Sequence, residues 1–323
     1  LNTTGELDGP GDRLVLNRAE AADGTVLSGT AEAGNRVTVQ LTDERGFSST
    51  EQVTAGANGV WQLNIASGAL PNQDGGLGIT VTATDAAGND SAASSTSVLL
   101  DRTITDATPT IAGVIDNRAP VSATIGNGGT TNDITPTITG TIAGGLAADE
   151  SLQVSRNGDV VGTATVEDGL FRFTDSVTAN GQLQYETRVV DTSGNVGATG
   201  DSIVISLDTI APAQDVVINE VRSGNLTFDD GDSTNATSFT LTLVLSDELA
   251  ANEIVQLIRT SGNSRGIVDS ADADDAIGTR NQAFEFTDTS TRGRTVEYEA
   301  RVVDSAGQLS PSSDPFTLTI TEL

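Results

Sequence analysis

The chain has 323 residues, 36% of them apolar and only 3% aromatic, with 35 Gly and no Cys, His or Met. Its 45 acidic residues against 16 basic ones leave a formal charge of −29, a surface that repels nucleic acid. Without Cys or His there is no His-assisted Cys or Ser nucleophile, no ordinary tetrahedral zinc site and no disulfide.

All 16 basic residues are Arg. The length suits two or three domains of ~100–200 residues each. Thr, Ser, Val and Ile crowd the periodic segments and Gly separates them, which favours short strands joined by tight turns. The sequence starts at Leu1 with no charged-then-apolar leader and has no long apolar span. The expectation is a fragment or mature segment, soluble and without membrane insertion.

Taken in chain order, the first element group opens on GELDGPGDRLVLNRAEAADG (Gly5–Gly24) and continues through SGTAEAGNRVTVQL (Ser28–Leu41) to NGVWQLNI around Trp61. Trp61 reads either as a platform for a sugar or as a core aromatic. The second is favoured because Phe171 in DGLFRFT and Phe284 in QAFEFT recur at the same place. Next comes ITVTATDAAGN (Ile79–Asn89), then an alternating run that closes on Asp101. The middle group carries the two-residue hairpin signal Asn157-Gly158 and the string YETRVVDTSGN (Tyr185–Asn195), and closes on Asp208. The last group has LAANEIVQL (Leu249–Leu257), which repeats LAADESLQV (Leu146–Val154), and then YEARVVDSAGQ (Tyr298–Gln308). No segment has convincing helical periodicity; AADESLQV forms one helical turn at most.

The three DxxG strings superpose without gaps, with Asp85, Asp191 and Asp304 lying 106 and 113 residues apart. An internal repeat of that period predicts three tandem immunoglobulin-like β-sandwiches of the Greek-key kind, all-β, in a linear rod: 1–103, 104–210 and 211–323. The third has a longer middle, SGNSRGIVDSADADDAIGTRNQ (Ser261–Gln282), and Gln308 where its relatives have Asn. It also stops where a linker would begin, as expected of a piece trimmed at a domain boundary.

In such a sandwich the DxxG loop follows the penultimate strand and lies at the pole where the chain arrives. Asp191 and Asp304 are therefore expected beside linkers that carry Asp101, Asp106, Asp208 and Asp215, with Asp149 and Glu150, and Asp247 and Glu248, nearby; Asp85, the matching loop aspartate of the first group, is a candidate with them. Carboxylates that converge without Lys or His need a cation, and oxygen donors on Gly-rich loops suit Ca²⁺. The competing reading is an Asx-type turn without metal. Asp116 with Asn132 and Asp133, and Glu220 with Asp229, Asp230 and Asp232, form weaker clusters; Asp269–Gly278 reads as a solvated acidic loop.

The strings SGTAEAGNRVTVQL, GNGGTTNDITPTITGTI, SRNGDVVGTATVEDGLFRF, TVTATDAAGNDSA and SLDTIAP resemble the bacterial Ig-like extender repeats of giant RTX-type adhesins exported by type I secretion. The resemblance covers most of the first two groups and half of the third. It implies a secreted, cell-surface segment that projects a distal ligand-binding region for adhesion or biofilm formation. It also implies calcium at the junctions, carried by Asp101, Asp106, Asp191, Asp208 and Asp304, and neighbouring repeats of the same chain as partners of a monomeric rod. A ligand-binding module that uses the third group's insertion is the alternative. An enzyme with paired carboxylates is disfavoured because no aromatic cluster or long crossover loop shapes a pocket.

Overall fold

The computed structural model describes residues 2–3, 14–104, 106–119, 122–278 and 282–322; much of the Gly5–Gly24 opening and three residues of the insertion, 279–281, lie outside them. The regular structure of the protein is nearly all strand, and the chain folds as two compact units. The first holds residues 1–111, 139–173 and 185–202; the second holds 112–138, 174–184 and 203–323.

In the first unit, a five-stranded sheet runs in the order Leu14–Leu16, Ser94–Leu100, Gly75–Thr84, Arg36–Asp43, Ser48–Thr54. Its partner sheet holds Thr25–Thr30 between Asn2–Thr3 and Val60–Ile65. The period of two in RVTVQL sends Val37, Val39 and Leu41 inward, where they meet Leu27, Trp61, Ile65, Leu77 and Leu100. Trp61, 3% exposed, is therefore a core residue. The strand partner opposite it is Gly29, where an added Cβ would lie 2.7 Å from the indole. Gly29→Ala should thus destabilise this sandwich by ~1–3 kcal/mol through overpacking. A denaturant midpoint followed by Trp61 fluorescence checks it, and an unchanged midpoint would refute the close packing.

The first unit also contains the strand Glu150–Arg156, paired with Asp159–Glu167 on one side and with residues 185–191 on the other. The Asn157-Gly158 turn between them has positive φ at both positions (53° and 91°), the backbone that an Asn-Gly hairpin is chosen for. Thr187 faces the buried side together with Val189, so the alternation YETRVV puts its Thr inside rather than in water.

In the second unit, a four-stranded sheet runs Leu226–Phe228, Val216–Ser223, Ser238–Leu245, Ala283–Thr289. Opposite it runs Ser233–Thr234, Phe316–Ile320, Arg294–Asp304, Glu253–Ser261, Ser264–Ala271. The shared core includes Phe239, Leu241, Leu243, Val255, Leu257, Phe284, Tyr298 and Leu318. In this unit too, Thr130–Thr131 pairs in parallel with Ile203–Leu207. The two cores at 16–100 and 216–320 fall within the first and third predicted segments, and the middle segment 104–210 contributes to both units.

Among the described residues, a short α-helix at Arg18–Asp23 and two 3₁₀ turns, Ser67–Ala69 and Ala273–Asp275, depart from the all-strand expectation. Asn17 caps the helix, accepting from Glu20 N while the Glu20 carboxylate accepts from Asn17 N. That reciprocal pair satisfies two amide donors that would otherwise face the chain end unpaired.

Candidate functional site

The three DxxG strings fold alike. They follow the strands Gly75–Thr84, Gly181–Asp191 and Arg294–Asp304, and each aspartate closes a turn with its own carboxylate; the first and third of these strands are penultimate as expected, whereas the middle one is followed by both Val196–Thr199 and Ile203–Leu207. Asp85 Oδ1 accepts from the amides of Ala87 and Asn89, and Oδ2 from the Asn89 side chain at 2.9 Å. That side-chain amide, followed by the backbone donors, holds the Asp85 carboxyl below its ordinary value. Asp191 Oδ1 accepts from Ser193 N and Asn195 N, and Oδ2 from Asn195 Nδ2 at 2.7 Å. Asp304 accepts from Gln308 N at 2.8 Å and from Gln308 Nε2 at 3.1 Å.

In two of the three, the trailing amide also reaches a linker. Asn195 Nδ2 donates to the carbonyls of Asp101 and Thr103, at 3.1 and 3.3 Å, while its Oδ1 accepts from Arg18 N at 2.7 Å. Ser193 Oγ adds a 2.6 Å bond to Asp101 Oδ2. In the second unit, Gln308 Nε2 donates to the carbonyl of Asp208 at 3.1 Å. Asp101 and Asp208 occupy the same structural place: the amide of each donates to the end of a short parallel strand, at Leu16 O and Thr131 O. The amide therefore works as a pin between a DxxG loop and the segment that leaves a sandwich. Gln308 does with one more methylene what Asn195 does.

Other predicted ligands are placed differently. Around the first pin, Asp106 and Asp149 stand exposed, and the oxygens of Asp101 and Asp191 already accept from protein donors. Asp116 and Asp133 are buried at 1% and 2% exposure and share Thr131, whose hydroxyl donates to Asp116 Oδ2 and accepts from Asp133 N. Beside them the Asn132 side-chain oxygen is buried without a partner. Glu220 lies 3.9 Å from Arg222, and Asp229, Asp230 and Asp232 accept backbone amides or close a turn. Asp215 is exposed, with its backbone tied to Ser246. Asp272 and Asp275 cap the 3₁₀ turn Ala273–Asp275, as suits an acidic loop in water.

The second pin borders an open cleft of about 450 Å³ lined by Asp208, Asp247, Glu253 and Asp304, with no basic residue among its walls. Gln214, 8% exposed, also lines it: its Nε2 donates to Glu253 at 2.6 Å, and its Oε1 is buried without a partner. Glu253 and Gln214 were not foreseen. Glu253 was nevertheless legible, since LAANE and LAADE align it with Glu150, and each stands opposite a loop aspartate in register: Glu150 with Asp191, Glu253 with Asp304. Asp247, which precedes that string, is not the counterpart of Asp149. Among the described residues no three acidic side chains gather closely enough to hold a metal ion by themselves. The cleft's candidate ligands are all oxygen and include an unmet amide carbonyl, which suits a hard cation completed by backbone oxygens or water; Asp208, Glu253 and Asp304 each already accept from protein donors, as Asp101 and Asp191 do at the first pin.

No curated protein matches the chain. Among solved structures, a tetra-tandem repeat from the extending region of a large adhesion protein is similar at 23% identity, over 95% of this chain and 74% of that one, with a TM-score of 0.25. Dimeric latent PorU from Porphyromonas gingivalis is similar at 12% identity, over 96% of this chain and 32% of that one, with a TM-score of 0.22. The C-terminal domain of the antigen I/II-family protein AspA from Streptococcus pyogenes is similar at 11%, over 67% of this chain and all of that one, with a TM-score of 0.26. Scores of this size carry no inference about function. Residues 15–99, which hold the first sandwich and its DxxG loop, match the family model of the bacterial Ig domain.

Proposed function

We propose that the chain is an extender segment of a bacterial cell-surface adhesin: Ig-like sandwiches in tandem (1–103, 104–210 and 211–323) whose task is to carry a distal binding region away from the cell. The observation that supports this most is the recurrence of the pin. The same loop amide reaches the same linker carbonyl in both places where a linker precedes a DxxG loop, at Asp101 and at Asp208. A binding or catalytic module needs no such repeated joint; a spacer does. The bacterial Ig match over 15–99 and the acidic, Cys-free composition agree with export, and type I secretion of an RTX-type adhesin with a part in biofilm formation is the form the repeat strings resemble.

Calcium belongs to this reading at the second joint, where Asp208, Asp247, Glu253, Asp304 and the Gln214 oxygen would hold it. The ion would neutralise carboxylates that otherwise repel one another and so stiffen the segment between sandwiches. At a hundred times its dissociation constant, one such ion adds ~2.7 kcal/mol of stability. Calorimetric titration of the intact chain should show saturable Ca²⁺ uptake, and Asp304→Asn should remove about one ion. Small-angle scattering should indicate a stiffer, more extended particle with Ca²⁺ than with EDTA. Identical scattering curves with no heat of binding would refute the calcium joint; a globular envelope under both conditions would refute the extender itself.

A further inference from the structure

A second hollow in the second unit, about 430 Å³, opens between the hairpin Glu253–Ser261/Ser264–Ala271 and the turn that follows the strand Ala283–Thr289. Its walls include Arg259, Ser261, Ser264, Ile267, Asp288 and Arg294. Its volume falls in the range of small-molecule sites, ~300–1,000 Å³.

Two of its charges cancel. Arg259 Nη1 donates to both Asp288 oxygens, at 2.7 and 2.8 Å, and to Thr289 O. Arg156, Asp175 and Tyr185 repeat the sequence positions of Arg259, Asp288 and Tyr298, so this group is scaffold common to two repeats. Arg294 is different. It is exposed, the structure gives it no acidic partner among the described residues, and it leaves the hollow one positive charge in excess. Aligned on Asp85, Asp191 and Asp304, its place is taken by Gly75 and Gly181 in the other two repeats. A cation present only in the third repeat, in a chain with 45 acidic residues, has no evident packing task.

Two further features suit a sugar. Ser264, Ser290 and Thr291 bring hydroxyls to the walls, beside the buried Ser261 hydroxyl. Ile267, 56% exposed, offers an apolar wall for ring C–H groups. No aromatic lines the hollow, so binding would rest on charge and hydroxyl pairing rather than stacking. We propose that this hollow binds a carboxylate-bearing saccharide unit, a uronic acid, with the carboxylate on Arg294 and ring hydroxyls on Ser264, Ser290 and Thr291. The chain's net negative charge does not forbid this. At physiological salt, charges more than ~8 Å apart are largely screened, while a paired Arg and carboxylate act in contact.

The inference is independent of the extender reading and is tested on the intact chain. D-glucuronate, D-glucose and acetate are titrated separately while backbone amide NMR shifts are followed. Glucuronate should saturate in the millimolar range, with shifts at Ser261, Ile267 and Arg294, and the other two should bind about tenfold more weakly. Arg294→Ala should weaken glucuronate by about tenfold or more, and Arg294→Lys by less. Ser264→Ala, at an exposed wall residue, gives a second reading if the Arg294 variants fail to fold. Absence of saturation, or parent-like affinity in Arg294→Ala, overturns the site. Acetate binding as well as glucuronate leaves a bare carboxylate pocket and overturns the saccharide.

Discussion

Asp288→Ala should cost the C-terminal sandwich ~1–3 kcal/mol, the range for leaving a buried hydrogen-bonding group unmet. Asp288 is 9% exposed and receives three side-chain bonds: two from Arg259 and one, at 2.7 Å, from the Tyr298 hydroxyl. Tyr298 is fully buried. Burial first, and the adjoining Asp288 carboxylate second, hold its phenol protonated well beyond the ordinary tyrosine range, so it must donate. Once Asp288 is gone, the Arg259 guanidinium, with its side chain 34% exposed, can turn partly to water. The tyrosine hydroxyl cannot, and an unmet buried donor costs ~1–3 kcal/mol by itself. Against a domain stability of ~5–15 kcal/mol this is a large share. Asp288→Asn keeps an acceptor and should cost less. The single Trp lies in the other unit, which separates the readouts. Circular dichroism should show an early denaturant transition while Trp61 fluorescence keeps its midpoint. Superimposable dichroism curves for parent and variant would exclude the role given to Asp288.

Asn195→Asp tests the pin, and its effect should depend on pH. The buried Asn195 amide donates to Asp191 Oδ2, Asp101 O and Thr103 O, all acceptors. A carboxylate in its place would face one negative charge and two carbonyl oxygens without a donor to offer. Its folded-state pKa is therefore raised, and the folded form binds the proton more tightly than the unfolded form. The penalty is then fully present well above that raised pKa and is relieved as pH falls through it toward the unfolded value of ~3.9. At neutral pH we expect a loss of ~2–4 kcal/mol, from a buried charge and orphaned acceptors. The Arg18 amide, which Asn195 Oδ1 accepts, should exchange no faster, because the carboxylate still accepts it. Asn195→Ala loses both functions, and there the Arg18 exchange should rise. A melting difference between Asn195→Asp and parent that does not shrink between pH 7 and pH 4 would remove the electrostatic argument.

How far the sequence could be read depended on whether its signals were local. The strand period in RVTVQL, the Asn157-Gly158 turn and the recurring aromatic at Trp61, Phe171 and Phe284 are satisfied by near neighbours, and all were legible. The helix at Arg18–Asp23 was missed because six residues are too few for periodicity to register; its signal was the Asn17–Glu20 capping box, visible as Asn-x-x-Glu. Of the DxxG aspartates, Asp85 and Asp304 follow penultimate strands as expected, and Asp191 does not, because a short extra strand, Val196–Thr199, folds back on its own strand before the last one. What sequence could not decide was whom their oxygens would serve. A carboxylate that faces a metal and one that closes a turn have the same neighbours in sequence; the 2.7 Å bond from Asn195 to Asp191 shows that this carboxylate closes its turn. Gln214 was invisible for another reason: it enters the cleft through a linker, far in sequence from Glu253, which it meets.

The short parallel strands have a mechanical meaning. Leu14–Leu16 runs alongside the end of the strand Ser94–Leu100, with Leu14 opposite Val98 and Leu16 opposite Leu100, so one end of the sandwich lies hydrogen-bonded to the other. Thr130–Thr131 with Ser206–Leu207, and Ser233–Thr234 with Thr319–Ile320, are also short parallel pairs with a last strand, although two strands of each group precede them. Tension applied at the two ends of such a pair does not peel one bond after another. It slides the strands lengthwise, so the bonds share the load and must fail together. Resistance to pulling is governed by the rate of unfolding rather than by equilibrium stability. A sandwich of modest stability can in this way hold against force far longer than its melting behaviour suggests.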